Sequence, residues 1–332
     1  MSISRRMALQ GIAGLAGLGI NGLALAQQFK MKLTSTASND LDSKWLELLK
    51  AGVESASGGK IGANVYPASQ LGSAETTIEG VTMGTVEVAL NASGVYEGLA
   101  PRMAVFSVPG VIKSMAQGAK VMADPEVRKM LGTIARDKGV EVITALVHSP
   151  VGIVSHKPIK SLADFKGLKI RVPGSKLLIE QMKQLGASPV AMSLGEVLPA
   201  FQNGTIDGVY AGTTIFTALK YYDISKNLTL LPSTFIIIVG LVSSSFMSSL
   251  GPLETIVREQ ARKADAEGAP WGEADVSRSA ADWEKNGGPI NTLSEADAQK
   301  FLEIVVPVAL KNLDAATQAD YAVLKAASAK YS

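Results

Sequence analysis

Asp164-Phe165-Lys166-Gly167-Leu168-Lys169-Ile170-Arg171-Val172-Pro173 is the stretch on which the reading of the fold turns. Leu168 to Val172 reads as a strand, and Pro173-Gly174 closes it, because proline cannot donate to a strand ladder. Leu177 to Leu185 then carries apolar residues at helical spacing and stops at Gly186. Ser193-Leu194-Gly195-Glu196 reads as a capping box opening a helix to Gln202, Asn203-Gly204 ends that helix, and Ile206 to Ala211 is the next strand. Strands alternating with helices in this way indicate an α/β lobe.

The pattern extends in both directions. Upstream, Lys30 to Thr36 reads as a strand, and Leu41, Trp45, Leu48, Leu49 and Val53 mark a helix stopped by Gly58-Gly59. Ile61 to Tyr66, Val86 to Leu90 and Val105 to Val108 read as strands. Ser73 to Met83, Lys113 to Met122 and Val127 to Asp137 read as helices. Two long β-rich stretches stand out: Val140 to Val154, interrupted at His148-Ser149-Pro150, and Phe235 to Ser243. Either they cross between two lobes as hinge strands or they are buried strands of one sheet. A long helical pattern follows Gly251-Pro252 to about Lys285, Thr292 to Glu295 reads as a capping box, and the remainder is helical to near Ala327. At 332 residues the chain exceeds one ordinary core and suits two lobes.

Composition removes several classes of function. Hydrophobic residues make up 47% and charged residues 19%, which suits a compact fold and argues against disorder. The 32 Lys and Arg, less Arg5 and Arg6, leave 30, equal to the 30 Asp and Glu. No basic patch with interleaved aromatics offers a surface for nucleic acid. The absence of cysteine excludes disulfides, zinc-thiolate sites and cysteine nucleophiles. At the N-terminus, Arg5-Arg6 precede a small-apolar run from Met7 to Leu25, and Ala24-Leu25-Ala26 supplies a small-x-small cleavage site. We therefore expect residues 1–26 to be a signal peptide and the exported chain to begin at Gln27. Ser4-Arg5-Arg6-Met7-Ala8-Leu9 is similar to a twin-arginine signal, except that Ala8 stands where an aromatic is usual. Gly17-Leu18-Gly19-Ile20-Asn21-Gly22 matches the dinucleotide fingerprint G-x-G-x-x-G, but it follows no strand and lies inside this leader, so it carries no cofactor site.

Catalytic patterns are missing. His148 and His156 are the two histidines, no H-E-x-x-H or G-x-S-x-G is present, and no phosphate loop occurs. With no partner identified for either histidine, both read as hydrogen-bonded strand or loop residues, with no metal site, no cofactor and no enzyme activity expected.

The opening stretch continues through Leu185-Gly186-Ala187-Ser188-Pro189-Val190, Glu196-Val197 and Ala200-Phe201-Gln202-Asn203-Gly204-Thr205-Ile206-Asp207-Gly208. Together with Tyr66-Pro67-Ala68-Ser69-Gln70-Leu71-Gly72, Met83-Gly84-Thr85-Val86-Glu87 and Phe106-Ser107-Val108-Pro109, this closely resembles the DctP-type solute-binding proteins of tripartite ATP-independent periplasmic (TRAP) transporters. The resemblance covers essentially the whole chain after the leader. It implies a two-lobed α/β periplasmic binding protein fold, with crossing β-strands and a long helix spanning both lobes. On that reading 27–148 with about 238–276 form lobe I, and 149–237 with about 277–332 form lobe II. It further implies a periplasmic monomer that captures a small organic acid and delivers it to the small and large membrane subunits of a TRAP permease. A binding protein of the same fold serving another transporter class or a sensor is the alternative, and a periplasmic enzyme on this fold is the third.

The resemblance places an arginine that holds the ligand carboxylate at Arg171. The planar guanidinium matches a carboxylate with two parallel hydrogen bonds, so the chemistry agrees. Asn91, Ser93, His148, Tyr210 and Thr214 fall at positions that imply polar pocket walls. Relatives carry larger or polar groups at the positions of Val151, Leu194, Ala211 and Ile238, and sialic-acid-binding relatives carry polar groups near Ala92 and Val95 as well. A ligand hydroxyl facing those positions would go unpaired at ~1–3 kcal/mol each, which disfavours sialic acid and other polyhydroxylated acids. One arginine with apolar walls points to a hydrophobic-bodied monocarboxylate. Asp207 reads as a turn or capping residue, since a second anion there would repel the carboxylate.

Overall fold

The computed structural model describes residues 27–332. The expected signal peptide, its Arg5-Arg6 pair and the glycine fingerprint at 17–22 lie outside the described residues.

The strands are β1 (Phe29–Ser35), β2 (Ile61–Tyr66), β3 (Val88–Ala92), β4 (Val140–Ser155), β5 (Lys169–Val172), β6 (Ser188–Ala191), β7 (Gly208–Gly212), β8 (Asn227–Ser243) and β9 (Asn291–Thr292). They form one sheet in the order β2-β1-β3-β8-β4-β7-β5-β6, with β9 paired to β8. The helices are α1 (Leu41–Ala56), α2 (Ala74–Met83), α3 (Met115–Ala123), α4 (Pro125–Ile134), α5 (Lys176–Gln184), α6 (Leu194–Gln202), α7 (Thr213–Ala218), α8 (Ser244–Ser249), α9 (Glu254–Gly287), α10 (Glu295–Asn312) and α11 (Ala315–Lys330).

The open choice at the two long β-rich stretches resolves in favour of crossing. β4 has 16 residues and β8 has 17, and they pair antiparallel from Val140↔Ser243 to Ser155↔Asn227. One half of this ribbon carries β3, β1 and β2, and the other half carries β7, β5 and β6. Each half buries its own core: Met31, Trp45, Leu49, Leu90 and Val242 in the first, and Ile153, Phe165, Ile170, Met182 and Phe301 in the second. The ribbon is irregular where the lobes meet, with register shifts between Val147 and Ser149 and between Pro150 and Gly152. At the same level of β8, Pro232 and the positive φ of Ser233 (45°) break the partner strand. An extra residue in a ladder bends the strand and re-aims its side chain, and His148 is that residue here.

The long helix α9, 34 residues and therefore roughly 51 Å, ties both lobes together. Near its start the buried Asp265 accepts from Trp45 Nε1 (2.8 Å) and Thr144 Oγ1 (2.6 Å) and pairs with Arg128 (3.0 Å), anchoring it to the first lobe. Near its end Trp283 packs edge-on against Phe216 and Tyr222 of the second lobe. Between the anchors, Gly272 passes α1 so closely that an added Cβ would lie 3.0 Å from Leu41 Cδ2.

Four sequence expectations need correction, and one strand was not expected. Val105 to Val108 is not a strand: Pro101 opens a 3-10 helix to Ser107 that buries Val105 and Phe106, and a short apolar run looks the same in either conformation. Ser188 to Ala191, unassigned from sequence, is β6, an edge strand whose Pro189 is tolerated there. The capping of α10 comes from Ser294, which accepts from Asp297 N, while Thr292 belongs to β9. Ser193 sits at the start of α6 without a side-chain cap, its hydroxyl turned instead to Glu75 Oε2 at 3.3 Å. The C-terminal stretch is two helices divided at Leu313, and α11 returns to the first lobe, where Leu324 and Ala327 join Val105, Met130 and Leu131. Residues 277–332 therefore do not all belong to lobe II, because Leu324 and Ala327 find their apolar partners in the other core.

Candidate ligand-binding site

The parallel strands β1, β3, β5 and β7 all end toward one crevice between the lobes, the place where open α/β sheets put their ligands. There a cavity of ≈ 580 Å³ opens, within the usual range for small-molecule sites.

Arg171 lies on β5 facing this cavity and is 5% exposed. Its Nε donates to Met192 O (2.9 Å) and its Nη1 to Tyr210 O (3.3 Å), so backbone carbonyls from the β6 and β7 ends fix the guanidinium plane. Neither contact neutralises the charge, and no carboxylate among the described residues pairs with it. Burial pushes its pKa down to about 10, which leaves it cationic at neutral pH. Holding a guanidinium out of water without a counter-ion costs several kcal/mol, a cost that a carboxylate placed against it would offset with two hydrogen bonds. Around it stand Val95, Leu194, Ile215, Ile236 and Ile238, an apolar wall drawn from both lobes.

A second polar group lies in the first lobe. Asp40 caps α1, accepting from Ser43 N (3.2 Å), and its other oxygen lies 3.2 Å from His148 Nε2. Asp42, one residue into the helix, places Oδ1 3.8 Å from the same nitrogen. On its far side His148 Nδ1 meets Ser149 Oγ (3.0 Å) and Thr214 Oγ1 (3.5 Å). The three groups are buried, and their donor atoms lie within 4.8 Å of one another, a spacing that also suits a metal ion. Burial, then the Asp40 charge, push Asp42 up to about 8 against the pull of His148. Burial lowers His148, but the Asp40 hydrogen bond and the Asp42 and Asp40 charges outweigh it and leave its pKa above the ordinary value. Asn91, from the end of β3, lines the same cavity, and its Nδ2 donates to Tyr96 Oη (3.1 Å).

Of the residues singled out from sequence, Arg171, Asn91, His148, Leu194, Tyr210, Ala211 and Ile238 line the cavity. Three do not. Val151 is fully buried among Ile153, Phe165 and Ile170, Ser93 is buried in the short 3-10 helix after β3, and Thr214 stands behind His148. Val151 and Ser93 fall outside because inward-facing core positions on strand and turn look the same in sequence as cavity walls. The reading of His148 without a partner is also corrected, since Asp40 and Asp42 are its partners. Both were missed, along with Glu75 and Glu196 at the cavity wall, because Asp40-Leu41-Asp42 reads locally as nothing more than a helix start. Asp207, read as a turn residue, accepts from Lys169 N (2.8 Å) and does not line the cavity.

The lobes touch each other through buried residues outside the cavity lining. Glu97 of the first lobe accepts from Ser175 Oγ at the start of α5 and from Leu177 N (3.4 Å), and Gln181 Nε2 donates to Ser107 O (3.0 Å). Burial raises the Glu97 carboxyl against these hydrogen bonds. The Ser193–Glu75 hydrogen bond makes a second bridge, on the other side of the cavity wall.

Residues 34–314 match DctP, the bacterial extracellular solute-binding protein family 7. The uncharacterized protein YiiZ of Salmonella typhimurium is 30% identical over 273 residues, covering 80% of this chain and 82% of its own. The 2,3-diketo-L-gulonate-binding periplasmic protein YiaO of Escherichia coli is 28% identical over 243 residues, 73% of each chain. The fold is similar to that of a TRAP periplasmic solute-binding protein from Desulfovibrio salexigens with bound orotic acid, with a TM-score of 0.86, 24% identity and coverage of 91% of this chain and 99% of the other. Among the described residues no helix is long and apolar enough to cross a membrane.

Proposed function

This chain belongs to family 7 of the bacterial extracellular solute-binding proteins, a TRAP transport component, and on that premise we propose that it captures a hydrophobic-bodied monocarboxylate on Arg171. One observation carries the reading: a buried, permanently charged guanidinium, oriented by two carbonyls and with no carboxylate partner among the described residues, faces the cavity between the lobes beside an apolar wall. Orotate and diketogulonate, the ligands named for two relatives, are carboxylates, which supports an acid as the ligand class. The other lining side chains argue against a dicarboxylate. Asp40, Asp42, Glu75 and Glu196 stand on the walls, and Arg171 is the one Lys or Arg among them, so a second carboxylate would be buried without a partner.

Capture closes the lobes on the ligand, and a TRAP permease receives it; no chemical step is assigned to the protein. The lobes we assign are 27–148 with about 238–276 and α11, and 149–237 with about 277–314. We assign export through residues 1–26, a periplasmic location and a monomeric state on the same reading. A ligand that binds only the native state raises Tm by mass action, so a thermal-shift screen of organic acids tests the function. A Tm rise with hydrophobic monocarboxylates is expected. A screen won by dicarboxylates or sialic acid would reject this reading of the walls while leaving the family intact. Periplasmic protein whose N-terminus is not Gln27 would reject the assigned leader.

A further inference from the structure

We propose that the end of the cavity formed by Asp40, Asp42, Asn91 and His148 is a subsite for an organic ammonium, so that the ligand is an acid whose far end carries a protonated amine. The inference rests on the reading of Arg171 as the carboxylate anchor and adds a second pole to it.

The first observation is an excess of acceptors. Asp40 spends one oxygen on the α1 cap and the other on His148. Asp42 Oδ1, at 3.8 Å from His148 Nε2 and so beyond hydrogen-bond reach, is buried without a hydrogen-bond partner, and so is Oδ1 of Asn91, a residue 2% exposed whose amide nitrogen is already given to Tyr96. Buried acceptors left unmatched cost ~1–3 kcal/mol each, and both residues belong to the lining of the cavity. They come from different elements, the first turn of α1 and the end of β3, so no local turn accounts for both. An ammonium has three N–H donors and no acceptor, the complement of such a wall, whereas a hydroxyl brings a single donor.

Charge points the same way. Asp40 and Asp42 face His148 with no Lys or Arg of the cavity lining beside them, so an acid with no cationic group brings that end nothing to pair with. A zwitterion neutralises Arg171 with one end and the Asp pair with the other. Spacing then narrows the class. Arg171 stands on β5 and His148 on β4, with β7 between them. Arg171 is level with Val209 of β7 and Val154 of β4, so His148 stands two strands across, roughly 10 Å, and six residues further along β4. An α-amino acid carries both charges on one carbon and does not reach both poles. A carbon chain between carboxylate and amine does, and Ile215, Ile236 and Ile238 give it apolar contact.

The test is calorimetric titration of the exported chain with 4-aminobutanoate, 5-aminopentanoate and 6-aminohexanoate, each beside the alkanoate of equal length. At least one amino acid should bind about tenfold or more tighter than its alkanoate, the gain expected of charge-assisted hydrogen bonds. Asp42→Asn, which keeps the shape and removes the carboxyl that an adjacent ammonium would draw into its ionised form, should bring that ratio down toward one. The wild-type ratio decides the proposal even if the variant does not fold. Alkanoates that bind with no gain from the amine overturn the ammonium subsite and leave the Arg171 anchor standing. Binding of none of the six overturns both. A gain that appears only with added calcium or zinc chloride and vanishes with EDTA also overturns it, since the acidic groups would then hold a metal ion.

Discussion

The two poles of the cavity are built in opposite ways. Arg171 comes from one contiguous stretch: strand β5 carries it, Pro173 ends that strand, and Met192 and Tyr210, which hold its head, lie on the neighbouring strand ends. The acidic pole is assembled from a helix cap, a helix first turn, a strand end and a bulge, and its central contact joins Asp40 to His148 across 108 positions. A site with its charge left unpaired on a regular strand is a standing cation. A site whose histidine, aspartates and hydroxyls touch one another can redistribute protons among themselves before any ligand arrives. On the proposed reading the first is a fixed anchor and the second a tunable one.

Substitution at the anchor should have the largest effect. Arg171→Ala is expected to fold normally and to lose ~2–5 kcal/mol of acid binding, the cost of truncating one partner of a buried charge pair, read by titration calorimetry. The acidic pole should announce itself in the stability of the ligand-free protein. Asp42 keeps a proton in the native state that the unfolded chain releases above about pH 4, so its contribution is full at low pH and is lost as pH rises to about 8. His148, also raised, adds to the same direction above its unfolded value near 6.5. The groups facing this pair are Asp40 from the α1 cap, Asp275 from α9 and the buried Tyr96. Denaturant melts should show stability falling between about pH 4 and 8, at no more than ~1.4 kcal/mol per pH unit for each group, and Asp42→Asn should flatten that slope. A flat profile in the wild type would remove the contrast between the poles.

Closure links the poles, because each lobe supplies one. Saturating ligand should lower the radius of gyration in solution scattering, and identical profiles would reject the hinge. Glu97→Gln removes a charged cap from α5 across the lobe boundary and is expected to weaken apparent affinity by ~1 kcal/mol through the open–closed balance. Ser193→Ala breaks the exposed bridge to Glu75 and should change affinity by less than ~0.5 kcal/mol.

The same difference explains what sequence could disclose. β5 with Arg171 was legible because strand, stop and motif are local. The long helix α9 was legible from its length alone, although the packing of Gly272 and the buried Asp265 were not. The crossing of β4 was suggested by Pro150, but β8 runs back to Asn227 through Pro232 and Ser233, punctuation that reads as a loop until a partner strand is seen. The bulge at His148 depends on the register against Ile236 and Ile237, which no single strand encodes. Asp40 and Asp42 declared their role as helix-start residues and concealed the one they share with His148.

The central claim is that Arg171 holds a carboxylate. Its most direct test is to titrate the acid ranked first in the thermal-shift screen, and its primary amide, into the wild type and into Arg171→Ala. The wild type should prefer the acid by at least about 30-fold, equivalent to ~2 kcal/mol, and the variant should lose that preference. An acid preference that survives unchanged in Arg171→Ala would contradict the account.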